Sequence, residues 1–105
     1  MIKISILYPS KPGSHFDADY YLNVHMPLVI ELLGPVLKST TAEIGVSGGV
    51  PDQAPPYAAI ACFTAESTQI FTEALAPHSE KLMADIPNYT DIEPVVQMSE
   101  LRLSK

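Results

Sequence analysis

Apolar residues along this chain switch between two spacings, and the switches mark its elements. From residue 2 to residue 8, Ile2, Ile4, Ile6 and Tyr8 alternate with Lys3, Ser5 and Leu7, the two-residue period of a strand. A breaker-rich loop follows over 9–14. The period then changes: over 17–33, at about 100° per residue, Tyr21, Val24, His25, Leu28, Val29 and Leu32 share one helix face, with Asp19, Asn23, Met26 and Ile30 opposite. Asp17 is placed to cap this helix. Pro27 inside it removes a backbone donor and frees the Asn23 carbonyl, predicting a kink or a split, and Gly34-Pro35 is a stop. Alternation returns over 36–47. After a Gly- and Pro-rich loop, residues 57–64 read as a third strand that is apolar on both alternating sets. A second helix spans about 66–84 with a break at Pro77, its stripe formed by Ile70, Phe71, Ala74, Leu75, His78 and Leu82. A turn over 85–90 leads to a last strand over about 93–103.

The order is βαββαβ within a single domain spanning residues 1–105. Right-handed crossovers then predict an α+β, ferredoxin-like split sheet: four antiparallel strands, two helices on one face, strands one and three in the centre. Two helices cover only one face, yet strand three is apolar on both. A second copy of the same sheet is the simplest cover, so we expect a homodimer through the sheet faces. Ser5, Ser39, Thr41, Gln97 and Ser99 could line a partly polar cavity between helices and sheet, or between subunits.

Charge and composition narrow the partners. Six Lys and Arg against twelve Asp and Glu give a formal net charge of −6, with the cations scattered. That disfavours nucleic acid and anionic membrane surfaces as partners. No apolar run approaches the ~18 residues of a membrane span. Cys62 is the only cysteine, which fits a reducing compartment; with no secretion-type leader before the first strand, a cytoplasmic protein is expected. Gly48-Gly49 follows a strand but opens no helix, so no dinucleotide fingerprint is present. We expect no metal and no cofactor.

The most chemically informative position is His25, in the middle of the helix-one stripe. A neutral imidazole is suited to moving protons near pH 7. Tyr21, one turn earlier on the same face, is the expected assisting group. His78 lies on the other helix stripe; beside Pro77 it is expected to satisfy loosened carbonyls, and if both helices cover one sheet face it borders the cavity of His25. Leu28, Cys62 and Tyr57 complete the expected pocket. Cys62 lacks a neighbouring cation and reads as a small packing residue rather than a nucleophile. Tyr20 is expected to pack and Tyr8 and Tyr89 to bury their rings with wet hydroxyls; Asp85 and Glu43 are candidate pocket acids, for which solvation or capping is the favoured reading.

The stretch Phe16-Asp17-Ala18-Asp19-Tyr20-Tyr21-Leu22-Asn23-Val24-His25-Met26-Pro27-Leu28-Val29 resembles the EthD family, named for a protein linked to bacterial ethyl tert-butyl ether degradation. The family's Phe-Asp, its Tyr and the His-x-Pro-Leu four residues on all stand here. Asp85-Ile86-Pro87-Asn88-Tyr89-Thr90 is similar to the family's turn before its last strand. The resemblance implies a dimeric α+β barrel, and a superfamily containing lactone isomerases, small decarboxylases and dehydratases, and cofactor-free monooxygenases. Two functions follow as expectations. One is a cofactor-independent acid/base isomerase, dehydratase or decarboxylase acting through His25 and Tyr21 on a small apolar metabolite. The other is a non-catalytic accessory that holds such a molecule for a partner oxygenase.

Overall fold

The computed structural model describes residues 1–105, and its elements follow the expected order: β1 (Ile2–Pro9), α1 (Ala18–Tyr20), α2 (Met26–Leu33), β2 (Ser39–Ile44), β3 (Tyr57–Ala65), α3 (Thr68–Leu75), α4 (Ser79–Asp85) and β4 (Val95–Glu100). The sheet is antiparallel throughout, in the order β2-β3-β1-β4. The fold is the expected α+β, ferredoxin-like arrangement, with β1 and β3 central.

Both helical arms are interrupted where proline was expected to interrupt them. In the first, α1 and α2 are joined by a π-helical turn, Tyr21–His25, in which Met26 N–H donates to the Tyr21 carbonyl, one residue further back than in an α-helix. Pro27 sits in the first turn of α2, where a missing donor costs little. In the second arm a 3-10 turn, Ala76–His78, separates α3 from α4 at Pro77. Asp17 caps α1 by accepting from Tyr20 N–H, and Ser67 caps α3 by accepting from Ile70 N–H.

The π turn corrects the expected face of the first arm. Tyr21, His25, Met26, Val29 and Leu33 are buried, whereas Val24 is exposed and Leu28 only half-buried. A turn wider than 3.6 residues delays the inward face by one position, so His25 and Met26 fall where Val24 and His25 were expected, and Val29 and Leu33 where Leu28 and Leu32 were. The ends of β2 and β4 also move inward from the expected bounds, while β1 and β3 each run one residue further. A 3-10 turn over Gly34–Val36 occupies the expected start of β2, and β2 stops at Ile44. At Gly45 a Cβ would strike the Tyr57 carbonyl and the Pro55 ring.

Strand register sorts the sheet into rows. On the helix-covered face, Phe63, Ile4 and Met98 form one row and Ala61, Ile6 and Val96 the next, with Tyr8 opposite Ala59. Tyr21, Tyr89, Phe63 and Ile4 are the largest fully buried side chains. On the other face, Ile60, Leu7 and Val95 form an apolar stretch, with Glu43 at its end on the edge strand β2. The row beside it reads Thr41, Cys62, Ser5 and Gln97. The uncovered face is thus apolar in a band, not throughout as the composition of β3 implied.

Gly34 closes α2 at φ 54°, ψ −131°, a conformation in which a Cβ is strained. Gly34→Ala is expected to cost about 1–3 kcal/mol, seen as a Tm lower by about 5 °C or more in thermal denaturation.

Candidate functional site

The π turn carries His25 to the inner side of the first helical arm, and the end of the second arm meets it there. His25 Nδ1–H donates to Asp85 Oδ2 at 2.9 Å. The other carboxylate oxygen, Oδ1, accepts from the Tyr20 hydroxyl at 2.6 Å and from Asn88 Nδ2 at 3.0 Å. The imidazole and the carboxylate are both largely withdrawn from solvent, at 8% and 13% side-chain exposure. Burial by itself would push the Asp85 carboxyl up. The hydrogen bonds from Tyr20, Asn88 and His25, together with the His25 charge, outweigh it and hold the carboxyl below its ordinary value. An ionised carboxylate only accepts, so Nδ1 must be the donor. In the neutral ring the lone pair then lies on Nε2, the nitrogen that makes no protein hydrogen bond.

Aromatic rings fix the imidazole from two sides. Tyr21 stacks on it at 6.0 Å between centroids and 15° between planes, and Tyr89 packs at 4.7 Å and 52°. Tyr21 is nevertheless not the hydrogen-bond partner of His25: its hydroxyl is fully buried and has none. Burial raises the Tyr21 phenol well above its usual value. Tyr89 is raised in the same way by burial, and further by its bond to Tyr8. The Tyr8 and Tyr89 hydroxyls lie 2.6 Å apart in the interior.

His25 borders a cavity of about 370 Å³ between helices and sheet. Its walls are Ile4, Ile6, Tyr8 and Phe63 from the central strands, Val29 and Leu33 from α2, and Phe71, Leu75 and Leu82 from the second arm. Ser79 and Glu93 are the remaining polar residues, and no Lys or Arg borders it. Met83, Val96 and Met98 line it yet stay 40–68% exposed, so it opens between α4 and the edge strand β4.

The structure therefore brings only part of the expected set together. His25 lines the cavity; Tyr21 stands behind it. His78 is half-buried in the 3-10 turn ahead of α4, Leu28 is half-buried on the first arm and Tyr57 opens β3, none of them among the lining residues. Cys62 lies on the opposite face of the sheet, with Sγ 3.8 Å from Ser5 Oγ. The partners are Asp85, a candidate pocket acid for which solvation or capping was the favoured reading, and Tyr20, expected only to pack. Tyr8 and Tyr89 were expected to keep wet hydroxyls and are 2% and 0% exposed. The turn Asp85–Thr90 held the available signal, since it supplies Asp85, Asn88 and Tyr89 at once.

Comparison with known proteins bears on the fold. The EthD domain model matches residues 15–93, which contain the π turn, His25 and Asp85. The structure is similar to an EthD-like protein from Ralstonia eutropha JMP134, with a TM-score of 0.94 at 36% identity over 99% of this chain and 94% of that one. An EthD family protein from Bacillus halodurans C-125 superposes with a TM-score of 0.74 at 16% identity, over 97% and 99% of the two chains. A dimeric ferredoxin-like protein of unknown function from Thermobifida fusca YX gives 0.60 at 15% identity, over 95% and 90%. The comparison with curated proteins gives no match.

Because folding lowers the Asp85 pKa, the stability it contributes is complete above the carboxyl's ordinary value of 3.8 and is lost as pH falls through the lower, folded value. Asp85→Asn is expected to lose about 1–3 kcal/mol at pH 7. It should also lose less further stability than the parent chain below about pH 4. Urea denaturation at both pH values checks the sign and the size.

Proposed function

Since this chain belongs to the EthD family, we propose that it binds a small, uncharged, largely apolar molecule in the cavity beside His25 and exchanges a proton with it without a cofactor. One observation carries this reading: an imidazole whose Nδ1 is held by a half-buried carboxylate, on the wall of a mostly apolar cavity. Asp85 fixes the tautomer and compensates the imidazolium that forms when Nε2 takes a proton. Tyr20 and Asn88 hold Asp85, and the stacked Tyr21 ring keeps the imidazole in plane. With no lysine or arginine in the walls, a carboxylate or phosphate group would meet no counter-charge. An uncharged ligand with an acidic C–H or an ionisable oxygen suits the site, and isomerisation or dehydration are the reactions such a base supports; a decarboxylation substrate would bring a carboxylate that these walls do not pair. A reducing compartment, the cytoplasm, suits its lone thiol.

The same reading includes a homodimer through the uncovered sheet face. The row of Ile60, Leu7 and Val95 is the apolar surface that a second copy would bury. A dimeric relative of the same fold supports it.

Turnover of a converted molecule should fall about 10²–10⁴-fold in His25→Ala, while its affinity, measured by calorimetry, changes much less. Undiminished turnover would remove His25 from the chemistry. Affinity without any turnover in the parent chain would make the protein a carrier that passes its ligand to a partner oxygenase. Light scattering is expected to give twice the 11.4 kDa chain mass, and Leu7→Lys to return it to the single-chain value.

A further inference from the structure

Three phenols meet at one end of this molecule and make one hydrogen bond among them. Tyr8 and Tyr89 share it, at 2.6 Å. Tyr21, whose ring centroid lies 5.6 Å from that of Tyr8 and 5.3 Å from that of Tyr89, has no partner for its hydroxyl. All three side chains are at least 98% buried. Three phenols carry three protons, and a single bond between two oxygens uses one. Whichever of Tyr8 and Tyr89 donates, the other keeps an O–H with no acceptor in the protein. Buried donors are ordinarily paired, so a surplus of donors at one place calls for an acceptor from outside the chain.

Tyr8 is the member of this group that borders the cavity, and it does so together with His25. We propose that the Tyr8 hydroxyl is the oxygen-binding contact of the cavity, donating to a carbonyl, enolate or phenolate oxygen of the bound molecule while Tyr89 donates to Tyr8. The ligand class is thereby narrowed to flat, apolar compounds carrying such an oxygen: aryl ketones, enolisable ketones and phenols. The inference rests on the cavity reading above and adds the oxygen subsite to it.

An aromatic environment suits that class. Phe63, Phe71 and Tyr8 contribute aromatic rings to the lining, and Met83 and Met98 at the opening offer adaptable apolar contact. A donor that itself accepts a hydrogen bond is a stronger donor, so the Tyr89–Tyr8 order favours an oxygen on which negative charge develops.

The test uses two probes of one shape, naphthalene and 2-acetonaphthone, titrated by fluorescence into the whole protein. The ketone is expected to bind about tenfold more tightly than the hydrocarbon, the worth of one hydrogen bond in a dry site. In Tyr8→Phe that advantage should vanish while naphthalene affinity stays within about twofold, which also reports an intact fold. The infrared carbonyl band of the bound ketone should lie at lower frequency in the parent chain and return upward in Tyr8→Phe. A ketone advantage that survives Tyr8→Phe, or that is lost instead in His25→Ala, overturns the subsite and leaves the cavity standing. Binding of naphthalene without any gain for the ketone does the same. Failure of both probes to bind overturns the cavity and the subsite together.

Discussion

Asp85 receives hydrogen bonds from three side chains that arrive from two distant parts of the chain. Tyr20 and His25 come from the first helical arm, Asn88 from the turn that follows its own helix. A carboxylate this far from solvent is tolerable only when its lone pairs are filled, and here several donors fill them. The same bonds tie the end of the second arm to the middle of the first. They decide which imidazole nitrogen is left for a ligand and close one side of the cavity. Structure and chemistry at this place depend on one ion remaining charged.

The cavity is shaped by what packs around that tie. The helix-covered face of the sheet carries small residues on β3, with Ala59, Ala61 and Ala65 buried, and larger ones on β1 and at Phe63. Helices resting on such a surface leave space toward β4, where Val96 and Met98 have no helix pressed directly against them. The walls are apolar because they are ordinary core residues whose packing partners are missing on one side. Polar groups enter at the imidazole and Tyr8, and at Ser79 and Glu93.

Much of the fold was legible because it is written in local periods. Alternation placed the strands, and the double-sided apolarity of β3 placed it in the centre. Asp17, Gly34, Pro27 and Pro77 marked ends and breaks through backbone chemistry that acts within a few residues. His25 stood out by residue type and position. Its partner did not, because periodicity assigns faces and says nothing about which side chains sixty positions apart will touch. Val24 and Met26 exchanged places for a different reason: a wider turn changes the phase of a helix without changing its composition. The uncovered face looked uniformly apolar from β3 alone. Its polar row became visible only once register set Cys62 beside Ser5 and Thr41.

The wide turn at Tyr21–His25 has one more consequence. It exists because the backbone accommodates one residue more than an ordinary helical turn would hold. Tyr21 and His25 stay stacked on the inner side across that surplus, with Met26 brought in behind them. The orientation of the imidazole is therefore governed by the number of residues between two fixed points, not by their identity. Leu22, Asn23 and Val24, all exposed, bridge the two rings and set the length of the turn. Chain length over five positions is as much a part of this site as the groups that fill it.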